Sequence, residues 1–214
     1  MRRHIFFDLD GTLTHSAPGI LNSLRHAFAA FGPVPSGEAL RSCIGPPLRE
    51  SFARLLSPGA DVEKAVTLYR AYFSERGLFE NSVYPGIPAM LQRLSAQASL
   101  YLATSKPEVF AVRIMDHFAL SPFFSGLHGA DLNGPRHDKD DVLRHALSRH
   151  AVDPLDALMV GDRRHDVEGA RAVGLPCVGV AYGYGGRAEL EAAGAAAVVD
   201  DVPSLERLLR GGGL

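Results

Sequence analysis

The sequence predicts an α/β fold: a parallel sheet covered by helices on both faces, with a block of helices inserted after the first strand. Three observations predict it. Short apolar runs alternate with helical periodicity from about residue 86 to the C-terminus, and repeated strand–helix units of this kind build parallel sheets buried on both faces. Residues 15 to 85 carry helical periodicity and connectors without a convincing strand. One apolar run, Ile5-Phe6-Phe7, stands alone ahead of that block and ends in Asp8-Leu9-Asp10-Gly11-Thr12.

Taken in order, the first strand brings Asp8 and Asp10 to its end, two residues apart and so on one face. Gly11 then turns the backbone and leaves room for a ligand to approach. Leu21, Leu24, Phe28 and Phe31 recur at helical spacing until Gly32, and Pro33-Val34-Pro35 stops that helix. Ser36 caps a second helix running toward Cys43, Gly45-Pro46-Pro47 breaks the chain, and Leu48 restarts it. Val62, Val66, Tyr69 and Phe73 form one more helical stripe. Beyond the connector Val83-Tyr84-Pro85-Gly86, helices are expected at 87–94, 109–118, 139–150, 167–173, 190–193 and 204–209. Strands are expected at 99–104, 126–129, 157–160, 177–180 and 197–199.

Composition narrows the function classes. The 214 residues are 46% hydrophobic and 21% charged, ordinary for a soluble globular protein, and the net charge of −2 gives no electrostatic case for nucleic acid or an anionic membrane. Cys43 and Cys177 form no CxxC pair, so a reducing cytoplasm is the simplest setting. The run behind Met1-Arg2-Arg3 is too short for a signal peptide, and no stretch approaches transmembrane length. The expectation is a cytoplasmic protein, monomer or homodimer, with neither nucleic acid nor membrane as partner.

In parallel α/β sheets ligands bind beyond the carboxyl ends of the strands, and polar residues collect there. The first strand brings Asp8 and Asp10, the next Thr104 and Ser105, the helix start after the third Lys139, and the fourth Gly161-Asp162 with Asp166. Each has a plainer reading: a turn, a helix cap, a solvated lysine. Their convergence on one rim favours a site. Asp8, Asp10, Asp162 and Asp166 would repel without a counter-charge, and a hard divalent cation such as Mg²⁺, held by carboxylates, water and phosphate, resolves this. Lys139 and the Thr104 hydroxyl add donors for a phosphoryl oxygen. Asp8 can attack phosphorus, and Asp10 is placed to protonate the leaving alkoxide and later to activate water.

Asp8-Leu9-Asp10-Gly11-Thr12, Thr104, Lys139 and Gly161-Asp162-x-x-x-Asp166 resemble, in order and spacing, the four motifs of the haloacid dehalogenase-like phosphohydrolases. Pro18-Gly19-Ile20 and Gly45-Pro46-Pro47-Leu48-x-x-Ser51-Phe52 are similar to the phosphoglycolate phosphatase-type subgroup, which includes 5′-nucleotidase-like members. The resemblance implies a Rossmann-like core, residues 1–14 and 86–214, with a helical cap, residues 15–85, and a small phosphorylated metabolite as substrate. It implies Asp8 as nucleophile, Asp10 as general acid/base, and Thr104 and Lys139 as phosphate binders. It also implies Asp8, the Asp10 main-chain carbonyl and Asp162 as Mg²⁺ ligands, with Asp166 supporting the metal directly or through water. Asp140 follows Lys139 where many relatives have proline, so Lys106 in Thr104-Ser105-Lys106-Pro107 is a rival for the lysine role. Arg163-Arg164-His165 stands where relatives carry a small hydroxyl residue, and is read as surface. Arg49, after the rigid Gly45-Pro46-Pro47 break, is the candidate reader of an anionic leaving group.

Other classes fit less well. Gly183-Tyr184-Gly185-Gly186-Arg187-Ala188 matches a loose dinucleotide fingerprint, but the helix behind it is short and lies late in the sheet sequence. An NAD-dependent oxidoreductase is the runner-up from another class, and a silent binding module is disfavoured by the complete acidic set. The nine histidines show no zinc spacing, and no G-x-S-x-G elbow is present. A dehalogenase has no use for Asp10, whereas a phosphomutase would share all four motifs.

Overall fold

The computed structural model describes residues 3–211, and the chain divides into two compact units, Met1–His15 with Val83–Leu214 and, separately, Ser16–Ser82. Strand β1 (His4–Phe7) opens the first unit. The second unit is helical: α1 (Ala17–Ala29), α2 (Gly37–Arg41), α3 (Leu48–Leu55) and α4 (Val62–Tyr72), the last running into a π turn at Phe73–Gly77. Pro18 sits in the first turn of α1, where its missing N–H costs no hydrogen bond. Ser36 caps α2 by accepting from the Ala39 amide, as expected. Leu24, Phe28, Phe52, Val66 and Phe73 are buried in this unit, with the rings of Phe28 and Phe52 at 5.0 Å.

After Gly86 the first unit resumes with α5 (Ile87–Ser95), β2 (Ser99–Pro107), α6 (Glu108–His117), β3 (Gly126–Ala130), α7 (Lys139–His150), β4 (Ala157–Gly161), α8 (Arg164–Ala172), β5 (Cys177–Val180), α9 (Gly186–Ala193), β6 (Ala197–Val199) and α10 (Val202–Gly211). The six strands pair in the order β3-β2-β1-β4-β5-β6, every pair parallel. This is the doubly wound order of a Rossmann-type sheet. Phe6 aligns with Tyr101 and Met159, and Met159 with Cys177. These side chains share one face, buried with Val142, Ala146, Val167 and Leu190 from α7, α8 and α9. Ile5, Phe7, Leu100, Leu102, Leu158 and Val160 alternate to the other face and are buried too. Burial on both faces explains why these strands read as continuous apolar runs.

Three boundaries differ from the sequence expectation for physical reasons. β2 continues past Thr104 to Pro107, because a register shift lets Pro107 pair with Ala130 after Thr104 has paired with Gly129. Thr104 and Ser105 are therefore strand residues, and Pro107 precedes α6 in the capping position. α8 starts a turn early, at Arg164, because the Asp166 carboxylate accepts from the Arg163 amide at the helix N-terminus. α9 starts at Gly186 rather than 190, so the glycine-rich segment leads directly into a helix. Among the described residues, no helix is long and apolar enough to cross a membrane.

Candidate active site

β1 lies between β2, which follows it in the chain, and β4 on its other side. The chain thus reverses its direction of winding at β1, which opens a crevice at the carboxyl ends of β1 and β4. Asp8 follows β1 and Asp162 follows β4, and the Asp8 amide donates to the Val160 carbonyl at 2.9 Å, locking the two ends together. Carboxylate oxygens of Asp8, Asp162 and Asp166 lie within 4.8 Å of one another, and all three residues are buried.

One cation holds this group. Lys139 begins α7, and its Nζ donates to Asp8 Oδ1 at 2.7 Å and to the Ala103 carbonyl at 2.9 Å, and pairs with Asp166 Oδ1 at 2.8 Å. Burial pushes its ammonium down, but Asp166 and Asp8 push it up further, and the net shift is upward. Asp166 is fully engaged: Oδ1 by Lys139, Oδ2 by the amides of Asp162 and Arg163 at 3.1 and 3.0 Å. Among the described residues, Asp162 has no such cation. Its Oδ2 accepts from the Tyr184 amide at 2.6 Å and its Oδ1 lies 3.4 Å from the Thr12 hydroxyl. Burial, then the charges of Asp166 and Asp8, raise its carboxyl well above the usual range, with the Tyr184 amide opposing.

Asp10 is arranged differently from its neighbour. Its Oδ2 pairs with Lys106 Nζ at 2.9 Å, and its Oδ1 is buried without a hydrogen-bond partner. Thr104 is buried, and its Oγ1 accepts from the Lys106 amide at 3.3 Å, while Ser105 is exposed. Gly11 has φ +85°, and a Cβ there would stand 2.1 Å from Asp162 Oδ2, so both backbone shape and space demand glycine.

Set beside known proteins, the haloacid dehalogenase-like hydrolase family matches residues 5–180. The chain belongs to the haloacid dehalogenase-like hydrolases. A 5′-nucleotidase from Pseudomonas aeruginosa is 40% identical over 209 residues, 96% of this chain and 95% of that one. The tyrosine-protein kinase PtkA of Mycobacterium tuberculosis is 45% identical over 85% of this chain, which spans 62% of PtkA's length. A phosphoglycolate phosphatase from Pseudomonas putida is 32% identical over 95% of this chain and 78% of that one. Among solved structures, a predicted phosphatase from Clostridium acetobutylicum superposes with a TM-score of 0.91 at 40% identity, covering 99% of both chains.

In this hydrolase the donor set fits a hard divalent cation. Three buried carboxylates converge, the ammonium of Lys139 is shared by two of them, and burial with the charges of Asp166 and Asp8 raises the Asp162 carboxyl, a penalty that a bound cation would relieve. Asp8 and Asp162 are the direct candidates. Asp166, with both oxygens already accepting from the chain, suits an orienting place behind them. The Asp10 carboxylate is outside the trio and turned to Lys106. That leaves its main chain as its possible contribution to a metal.

The structure separates the two rival lysines: Lys139 serves Asp8 and Asp166, Lys106 serves Asp10. Arg49 lies in the helical unit, where its guanidinium closes a two-pronged pair on Glu63 at 2.7 and 3.0 Å, so its fork is already engaged by its own chain. Arg163 pairs with Glu189 at 2.9 Å rather than lying loose on the surface.

Sequence reasoning missed the loop Ala181–Gly185. The segment set aside as a weak dinucleotide fingerprint packs on Asp162. The Tyr184 amide binds its carboxylate, a Cβ on Gly183 would stand 2.2 Å from Asp162 Cβ, and the Gly185 amide donates to the Asp162 carbonyl at 3.2 Å. The Tyr182 hydroxyl donates to the Thr12 carbonyl at 2.9 Å, tying this loop to the one after β1. The cluster of glycines was a true signal of close backbone approach, but the approaching group is a carboxylate. Gly169 is a second omission: a Cβ there would stand 2.7 Å from Lys139 Cβ and Cγ, so glycine lets α8 close over that lysine.

Proposed function

We propose that this chain is a Mg²⁺-dependent phosphatase that hydrolyses a small phosphomonoester through an aspartyl-phosphate on Asp8. The observation that supports it most is the buried trio Asp8, Asp162 and Asp166 held by Lys139 at the sheet's reversal point. Lys139 holds one oxygen of Asp8 and leaves the other to attack phosphorus. As the Asp8 oxygen–phosphorus bond forms, the ester bond breaks and Asp10 gives its proton to the departing alkoxide. Asp10 then takes a proton from water, which attacks the aspartyl-phosphate, releases orthophosphate and regenerates Asp8. The Thr104 hydroxyl donates to a phosphoryl oxygen, and Lys139, whose three N–H groups are taken by Asp8, Asp166 and the Ala103 carbonyl, attracts the phosphoryl group by its charge. Mg²⁺ bound by Asp8 and Asp162 would supply charge neutralisation for the incoming phosphate. Names among the relatives point to 5′-nucleotides first and phosphoglycolate second, and the residues 16–82 form the candidate cap.

The test is orthophosphate release from a panel of 5′-nucleotides, phosphoglycolate and sugar phosphates, with Mg²⁺ and with chelator. Wild type should turn over at least one substrate only with metal, and Asp8→Asn should show no release above background. Near wild-type turnover by Asp8→Asn excludes the covalent route. ATP with a tyrosine-containing peptide belongs in the same panel because of PtkA. Phosphotyrosine formation without ester hydrolysis would replace hydrolysis with transfer.

A further inference from the structure

We propose that Lys106 is a positioning residue for Asp10: it clamps one carboxylate oxygen so that the other is the oxygen that exchanges the proton with leaving group and water. The inference rests on the hydrolase reading above and adds to it a residue and an atom. Lys106 lies on β2 inside the irregular stretch between Thr104 and Pro107, and its amide donates to the Thr104 hydroxyl at 3.3 Å. Its side chain reaches the loop after β1, where Nζ stands 2.9 Å from Asp10 Oδ2. Only 7% of the lysine side chain and 20% of the aspartate side chain remain exposed. A pair so enclosed is screened little by solvent and holds its geometry.

The two Asp10 oxygens are consequently unlike. Oδ2 has an ammonium, and Oδ1 is buried with no partner. Buried carboxylate oxygens are costly without a donor, and such an orphan marks where a ligand's donor belongs. A leaving hydroxyl or an attacking water supplies that donor. Asp8 is a contrast within the same loop: its lysine, Lys139, also holds Asp166, while Lys106 reaches Asp10 from a different strand. The two lysines thus sort two nearby carboxylates into different geometries.

The experiment compares an alkyl phosphate (5′-AMP) with p-nitrophenyl phosphate, whose leaving group departs without a proton, in Mg²⁺ buffer. Wild type, Lys106→Met, Lys106→Arg, Asp10→Asn and the Lys106→Met/Asp10→Asn double variant are measured by rapid quench. We expect Lys106→Met to slow the first step on 5′-AMP at least tenfold more than on p-nitrophenyl phosphate, with KM little changed. Lys106→Arg should recover most of that loss, and Lys106→Met should cost nothing further in the Asp10→Asn background. Equal losses on both substrates with a raised KM would assign Lys106 to the phosphate and overturn the proposal. So would additive losses in the double variant, or no loss on either substrate. Thermal melting separates folding from function: Asp10→Asn should lower Tm by stranding a buried ammonium, and adding Lys106→Met should restore it. Where 5′-AMP is refused, the alkyl phosphate turned over in the panel above takes its place; a wild type that turns over none of that panel overturns the hydrolase reading and this proposal with it, while the melting cycle still reports on the ion pair.

Discussion

Among single residues, the most consequential is Asp162, because two needs conflict there. It must be negative to hold a cation, yet it is buried beside Asp166 and Asp8, which raise its carboxyl well above the usual range. Asp162→Asn should therefore raise the Tm of the chelator-treated protein and abolish the rise that Mg²⁺ gives wild type. Selective binding to the folded state stabilises by about 2.7 kcal/mol at a hundredfold excess over Kd, so the difference is readable by calorimetry. An Asp162→Asn protein that still gains Tm from Mg²⁺ would move the metal elsewhere. Lys139→Met is the complementary case: it leaves buried carboxylates without their cation and should cost about 3–5 kcal/mol in denaturant melts without metal. These residues were legible in the sequence because Asp8-x-Asp10, Lys139 and Gly161-Asp162 all fall at strand or helix ends. What was not legible is pairing. Nothing in the order of residues says that Lys106 answers Asp10, or that Arg49 answers Glu63, since both depend on where side chains meet across the chain.

At the level of elements, the loop after β5 is as much a part of the site as the two aspartate-bearing loops. Gly183→Ala would drive a methyl into Asp162 Cβ and should destabilise by about 1–3 kcal/mol through overpacking. It should lower phosphatase turnover more than Tyr182→Phe, which removes one hydrogen bond to Thr12 at about 0.5–1.5 kcal/mol. Denaturant midpoints and initial rates on the two variants check the order, and a Gly183→Ala protein with wild-type rates would show that this loop only packs. Strand and helix identities from β1 to β6 followed from apolar runs and periodicity. Element starts were harder, and the reason is specific at each one. α8 gains its first turn from the Asp166 side chain, and β2 gains its last residues from a register shift with β3, neither of which leaves a periodic trace.

For the whole molecule, stability is set partly away from the carboxylates, by a histidine group packed between β3 and α7. His128 and His150 share a hydrogen bond between their Nε2 atoms at 2.9 Å, and His128 also faces His145, Arg136 and Arg149. Burial, then its cationic neighbours, pushes His128 down to about 4 from an ordinary 6.5. The unfolded chain then binds a proton that the folded one refuses, so this contribution is intact above about pH 6.5 and is lost as pH falls toward 4. Tm measured with chelator over that window should fall more steeply for wild type than for His128→Asn; parallel curves would clear the pair of any role. A different consequence follows from the placement of β1 between β2 and β4. Of the six described strands this one is synthesised before the others, yet its second neighbour emerges about 150 residues later, roughly 8–30 s at synthesis rates of about 5–20 residues per second. Throughout that wait Ile5, Phe6 and Phe7 lack their β4 neighbour, so the nascent chain carries an apolar, pairing-competent strand edge without its partner. The segment that leads to Asp8 is thus the one a holdase chaperone should find first.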